Sequence, residues 1–339
     1  MAGNTIFDER PLTLSGAAVA TVSVDLTKIP AGHTLSELIF VLDGILDNNT
    51  SLVGVPWGPE VLSDVLTNIN ISYGPPDARH TVQISGIELE QYKRQLDYRR
   101  EEATVGVDVL GVAAPVFHGI RIPLYGACVG VKNAFGRTTA PSAARHPSAL
   151  FYMNPQCQLT FSGAGLGGAF VGFVGQLRAF CDSEPQMGDD GTDPKLMYLV
   201  SNSDQNTGNI LTFARADVLL LGNEAGAYTE LQVDEVITPP MTPEEIYRLR
   251  ESWYTQPLRF DTALAGMTSI LAQPGLGACP RIVANAAATM NTLKVFDRRS
   301  EKRYGKNGVR IQLQNRNNAI AIRSIVEYTI NIDTNILKG

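Results

Sequence analysis

Gly163, Gly165 and Gly168 stand at the G-x-G-x-x-G spacing that lets a backbone approach a pyrophosphate. The motif follows an alternating strand candidate. Asp182 lies about 20 residues further on, where a dinucleotide fold places the carboxylate that holds a ribose hydroxyl. That chemistry needs a helix starting inside the motif, with its N-terminus aimed at the phosphates. Instead Phe170, Val171, Gly172, Phe173, Val174 and Gly175 follow, and their glycines and β-branched or aromatic members are poor helix formers. The run reads as a connector between two halves of the chain. Asp182, Glu184, Asp189, Asp190 and Asp193 crowd the hard oxygen ligands that calcium takes. They lack the D-x-D-x-D-G spacing and the closing Glu, so they read as a solvated loop. His33, His80, His118 and His146 stand at strand ends or in loops, outside any H-E-x-x-H pattern, and neither G-x-S-x-G nor a P-loop occurs. Cys128, Cys157, Cys181 and Cys279 are scattered, with no C-x-x-C pair and no His at ligand spacing. They read as small hydrophobes in a reduced compartment. Arg298, Arg299, Lys302, Arg303 and Lys306 form a basic run between two strand candidates. Phosphates and anionic headgroups are what such a run binds; a solvated or subunit-bridging hairpin is the other reading. No catalytic, cofactor-binding or metal-binding residue is assigned, and no cofactor is expected.

These residues must be held by a chain too long for one ordinary core and about right for two, at 339 residues. With 44% hydrophobic and only 18% charged residues, it reads as a soluble globular protein that hides much surface, burial between subunits being one way to do so. The net charge of −6 argues against nucleic-acid binding by the whole chain. Charge is uneven, however. Residues 291–339 carry ten Lys/Arg against four Asp/Glu. The N-terminus lacks a basic segment followed by an apolar one, so no signal peptide is read. Apolar stretches such as 169–174 fall far short of the ~20 residues that cross a bilayer, so an integral membrane protein is not expected. The sequons at Asn49 and Asn70 read as chance.

Period-2 alternation dominates the pattern. The first half carries strand candidates at 18–26, 37–46, 64–73, 81–84, 104–110, 119–125 and 156–162. The second carries them at 170–180, 195–200, 209–221, 229–236, 292–296, 309–313 and 321–332. One helix is expected in each half. In the first, residues 88–101 place Leu89, Tyr92 and Leu96 on one stripe. In the second, Thr242, Pro243 and Glu245 make a capping box ahead of Ile246, Leu249 and Trp253. A unit recurs in the pattern of the two halves. The strand ending at Gly74 is followed seven residues on by Thr81, a second strand and a helix; Gly222 and Thr229 stand in the same relation. Helices do not alternate with strands, so a doubly wound α/β fold is disfavoured. The expectation is an all-β chain of two consecutive jelly-roll sandwiches, 1–165 and 166–339, each with one flanking helix.

Two rolls in one chain, one helix beside each, and no constellation for chemistry resemble the double jelly-roll major capsid proteins of tailless icosahedral viruses, chiefly bacteriophages with an internal membrane. The resemblance spans the chain and rests on strand layout. It implies a homotrimer whose six rolls make a pseudo-hexameric capsomer tiling an icosahedral shell around a membrane or genome. It implies no enzyme activity. The implied partners are copies of itself, other capsid and vertex proteins, and internal membrane lipids on the inner face, with no specific nucleic-acid sequence. The implied location is the virion, assembled in the host cytoplasm. The alternative is an all-β phage spike that binds a receptor or carbohydrate, and a third reading is a nucleotide-dependent enzyme built on the Gly163 motif. A titration of NAD, NADP or FAD followed by melting temperature separates the last from the others. No saturable shift is expected, whereas a rise of a few degrees at sub-millimolar ligand requires a real site.

Overall fold

Alternation becomes strand in most of the chain that the structure, a computed structural model, describes. The described residues are 3–48, 65–95, 105–106, 114–126, 144–164, 170–186, 194–202, 210–222, 228–233, 236–238, 292–297, 309–315 and 324–332. In order they form β1 (Gly3–Ser15), β2 (Val19–Ser23), β3 (His33–Asn48), β4 (Leu66–Tyr73), β5 (His80–Ile84), helix α1 (Gly86–Gln95), β6 (Val105–Gly106), β7 (Ala114–Pro123), β8 (His146–Pro147), β9 (Gln156–Ser162) and β10 (Phe170–Pro185). There follow β11 (Lys195–Asn202), β12 (Ile210–Ala216), β13 (Val218–Gly222), β14 (Tyr228–Val233), β15 (Val236–Thr238), β16 (Thr292–Asp297), β17 (Val309–Asn315) and β18 (Ser324–Asn331).

Three sheets result: β1-β10-β3-β7-β6 with β8 beside β3, then β16-β13-β18-β11-β5-β4-β9-β2, then β12-β17-β14-β15. Set aside the two-residue strands β6 and β8 and number the remaining strands through β10 from 1 to 8. They run 1-8-3-6 in one sheet and 2-7-4-5 in the other. Strands β11 to β18, numbered the same way, run 1-8-3-6 and 2-7-4-5 again. This is jelly-roll order, twice over, and the chain is an all-β double jelly roll.

The two rolls share the middle sheet. Its junction is a parallel pairing of β5 with β11, in which Thr81, Val82 and Gln83 stand beside Tyr198, Leu199 and Val200. On the first-roll side one face is buried (Ile69, Ile71, Val82, Ile84, Leu159), while Thr21 and Gln83 on the other are exposed. Beyond the junction both faces are buried, with Met197 and Leu199 on one and Leu196 and Val200 on the other. A sheet that lines one roll with one face and the next roll with the opposite face must become apolar on both where it crosses. The unbroken run Val218, Leu219, Leu220 has that character, and all three are fully buried. One hydrophobic cluster runs from Phe40, Phe173 and Leu177 through Ile71 and Leu159 to Leu196, Leu199 and Ile325. Each such side chain contributes roughly 1.5–3 kcal/mol on burial.

Several expectations need correction. Strand β1 was not anticipated, because its inward positions include Asp8 and Arg10. Asp8 is 4% exposed and is held by Arg10 (2.9 Å), Lys28 (2.6 Å) and the Asp25 N–H (2.9 Å). Burial raises its carboxyl, but those three donors together bring it below the ordinary carboxylate range. Pro11 is tolerated because β1 is an edge strand. Residues 209–221 are two strands in different sheets, not one. The crossover is at buried Asp217, whose N–H donates to the Glu327 carbonyl (2.7 Å) and whose Oδ2 accepts from the Thr329 N–H (2.7 Å). The 170–180 strand, read with the second half, is hydrogen-bonded between β1 and β3 of the first roll. The repeated unit was also matched one strand out of phase. Gly74 ends β4, the fourth strand of its roll, whereas Gly222 ends β13, the third strand of its own. The true counterparts of β4 and β5 are β14 and β15, and the equal seven-residue spacing is coincidence. Residues 242–253, with Trp253, lie outside the described residues.

Gly44 and Gly175 face each other across β3 and β10. A Cβ on Gly44 would lie 2.5 Å from the Val174 carbonyl oxygen and 2.8 Å from Phe173 Cζ, so the ring occupies the space that two side chains would need. Gly44→Ala should therefore lower stability by about 1–3 kcal/mol. Gly119→Ala, whose Cβ would meet only Val41 and Ile39 at 3.7 and 3.8 Å, should stay within about 0.5 kcal/mol of the parent. Thermal melts of the two variants side by side check the contrast.

Candidate functional site

The polar side chains that the fold gathers lie at the junction of the rolls. His80 opens β5 and His146 opens β8, 66 residues apart in the chain. The fold sets their rings 5.4 Å apart at 79°, both with zero exposure. Tyr73 at the end of β4 stacks on His80 at 4.5 Å, and Phe151 lies 4.2 Å from Tyr73. Each imidazole reaches the start of β11. His146 Nε2 donates to the Lys195 carbonyl (2.9 Å), and His80 Nδ1 accepts from the Met197 N–H (3.2 Å). His146 Nδ1 accepts a hydrogen bond from the Tyr73 hydroxyl at 2.7 Å. His80 Nε2 is buried without a partner. Burial pushes the Tyr73 phenol well above its ordinary value and His80 well below its own, and holds His146 down at about 4.

A second polar group lies under α1. The helix starts with a reciprocal capping box. Ser85 N–H and Oγ–H donate to Glu88 Oε2 (3.0 and 2.9 Å), and the Glu88 N–H donates to Ser85 Oγ (3.3 Å). The same Oε2 accepts the Ser201 hydroxyl from β11 at 2.6 Å. One turn on, buried Tyr92 donates to Glu327 Oε2 of β18 (2.9 Å) and lies 4.0 Å from the Met197 sulfur. Helix α1 of the first roll thus covers strands of the second. Leu89 and Tyr92 of the expected stripe are fully buried, and Leu96 lies outside the described residues. The S-x-x-E signature at Ser85 and Glu88 was legible in the sequence and was missed. A side chain at Gly126 would overlap Glu327 Oε1, so that carboxylate would have to shift to admit one.

The remaining candidates disperse. The Gly163 N–H donates to the Gly16 carbonyl (3.2 Å), and Phe170 begins a strand of 16 residues, not a helix. The glycine run therefore links two strands of one roll. Asp182 spends its carboxylate on the Ser36 and Glu37 N–H groups (both 2.8 Å) and the Ser36 hydroxyl, with Arg145 3.6 Å away and bridging to Glu184. Those two residues tie β10 to β3; Asp189, Asp190 and Asp193 lie outside the described residues, as does the basic run 298–306. Among the described residues no cluster of His, Cys, Asp and Glu could hold a metal ion, and no helix is long and apolar enough to cross a membrane. His33 is half-buried and donates its N–H to Ser148 Oγ (3.4 Å), and His118 lies on β7 opposite Leu42. Cys157 and Cys181 are buried, the first thiol pushed far up by burial and the second to about 11, so both pack as small hydrophobes. Cys128 and Cys279 lie outside the described residues.

The outer face of the first sheet is laced by ion pairs: Arg178 with Asp43 (2.8 Å) and Glu9 (3.6 Å), and Arg121 with Glu37 (2.9 Å). Beside them Val174 and Ile45 stand opposite each other, 63% and 53% exposed, with Ile6 further along.

Among solved structures the chain is similar to the STIV MCP, a major capsid protein, with TM-score 0.52 and 11% identity over 97% of this chain and 96% of that one. It also matches the major capsid protein P2 from bacteriophage PM2 (TM-score 0.46, 10% identity, 97% and 99% covered) and the mavirus major capsid protein (0.41, 11%, 96% and 86%). The first likeness establishes the fold, end to end, and the other two are too distant in geometry to add to it. No protein-family model and no curated protein sequence matches the chain.

Tyr92→Phe keeps the ring and removes one donor from a buried carboxyl. It should cost about 1–3 kcal/mol by denaturant unfolding. An unchanged midpoint would show that the Tyr92–Glu327 bond does not fasten α1 to the second roll.

Proposed function

We propose that this chain is the major capsid protein of an icosahedral virion, acting as a homotrimer in which six similar rolls form one pseudo-hexagonal tile. The observation that carries the reading is the strand permutation repeated in full within one chain. Three copies of a two-roll subunit offer six near-equivalent edges under closed three-fold symmetry. The same two-roll fold in the STIV MCP, and a polar inventory spent on internal fastening, support it. The division between rolls then falls between Pro185 and Lys195 rather than at 165/166, because β10 completes the first roll. On this reading the chain is not an enzyme. Its partners are neighbouring copies and vertex proteins, and the basic residues Arg298, Arg299, Lys302 and Arg303 face membrane lipid, genome or an adjoining subunit. Its location is the virion shell, after assembly in host cytoplasm.

Light scattering coupled to size exclusion should report about three times the 36.6 kDa chain mass, or a far larger particle. A monodisperse monomer over a wide concentration range would remove the basis for the tile, and saturable glycan binding by that monomer would favour the spike reading.

A further inference from the structure

We propose that His80 and His146 form an acid-sensitive latch between the two rolls, holding β11 against β5 only while both rings are neutral, and that mild acid frees this junction before the sheets open. The inference stands apart from the capsid reading, since it rests on the bonding of two rings. The Met197 N–H can only donate, so His80 Nδ1 must accept and the ring proton sits on Nε2. The Lys195 carbonyl can only accept, so His146 Nε2 carries its proton and Nδ1 receives the Tyr73 hydroxyl. A second proton on His80 Nδ1 would face the Met197 N–H head-on. A second proton on His146 Nδ1 would face the Tyr73 O–H and force that hydroxyl to turn. Either would also place a cation against the other imidazole, 5.4 Å away, in a site without water access.

No neighbouring charge compensates. From β4 the group that faces the pair is the Tyr73 phenol, and from β11 it is the Lys195 carbonyl and the Met197 amide. From the turn Ser148–Tyr152 it is Phe151, and β3 pairs Leu35 with His146. Arg145, next to His146, turns to Thr34, Asp182 and Glu184; Arg79, next to His80, turns to Ser72 and Asn154. Among the described residues no carboxylate bonds to either ring.

The junction is also the weakest main-chain seam in the shared sheet. β5 and β11 pair over three residues, whereas β11 and β18 pair over eight and β3 and β10 over fourteen. The two histidine bonds fasten the end of β11 where that pairing begins. Local opening selects segments with few such bonds.

The sign follows from the neutral, latched state. Freed rings titrate near 6.5, while burial holds His146 at about 4 and His80 below its ordinary value. The latch is therefore at full strength above about pH 6.5 and weakens as pH falls. Each ring multiplies the opening constant by about 10 per pH unit, and the pair by about 100.

The test is hydrogen–deuterium exchange of the purified full chain between pH 7.5 and 5, read as protection factors. Amides of 81–84 and 196–200 should lose protection steeply below pH 6.5, while amides of 172–182 in the β3–β10 pairing keep theirs. In the double variant His80→Asn/His146→Gln, whose amides supply the same acceptor and donor without titrating, the loss should flatten. The proposal is overturned if the junction shows no acid response, if both regions lose protection together, or if a folded double variant keeps the parent's pH slope. Should the variant fail to fold, the two regions of the parent still decide the matter.

Discussion

The parallel pairing of β5 with β11 is the constraint on which the rest of this molecule depends. A jelly roll is a closed sandwich, and joining two of them ordinarily leaves a linker and a wet interface. Here the second sheet of one roll continues into the first sheet of the next, so a single layer has its buried face on opposite sides at its two ends. That requirement explains why β11 and β13 are apolar on both faces while β5 exposes Gln83. It also explains why the hydrophobic cluster does not stop at the boundary. The rolls cannot rotate against each other without breaking ladder hydrogen bonds.

A face exchange of this kind leaves polar groups stranded where one roll's outside becomes the other's cover. Side chains meet several of them. Helix α1 lies over that region, capped by Ser85 and Glu88 and anchored to β11 and β18 through Ser201 and Glu327. At the other end of the junction the imidazoles of His80 and His146 take up backbone groups of β11. Buried polar networks specify one arrangement when every member is satisfied and are costly when one is not. The unpartnered Nε2 of His80 is therefore a costly member of the group at this end of the junction.

Most of the strands were legible in the sequence, because a half-buried strand writes its burial as alternation and β2, β4, β9 and β17 do so plainly. Three features hid the rest. Strand β1 places Asp8 and Arg10 on its inward side, so its pattern reads as charged chain until Lys28 and the Asp25 amide are brought to it by folding. The change of sheet at Asp217 happens within one residue, too short to leave a turn signal between the two strands. The phase of the repeat was lost because β15 is three residues long and offers too little alternation to register, which shifted the match by one strand. The junction itself was out of reach. His80 and His146 carry no spacing signal, since what joins them is strand order and not chain proximity, whereas Ser85 and Glu88 were readable as a capping box.

The polar residues that first suggested chemistry share one fate, and that fate is informative. Asp182, at the spacing of a ribose ligand but read as part of a solvated loop, holds two amides of β3. Gly163, at the spacing of a phosphate cradle but read as a connector between halves, follows β9 and precedes β10 within one roll. His80 and His146, the pair most able to move protons, are sealed from solvent by Tyr73 and Phe151. An active site needs groups whose hydrogen-bonding capacity is left open toward a cavity. In this chain the described candidates are turned inward and consumed by the backbone, and the surface keeps an ion-paired sheet face with exposed Val174 and Ile45. What these groups hold is the relation of one roll to the other, and the residues that do so most directly are the ones that fix where β11 meets β5.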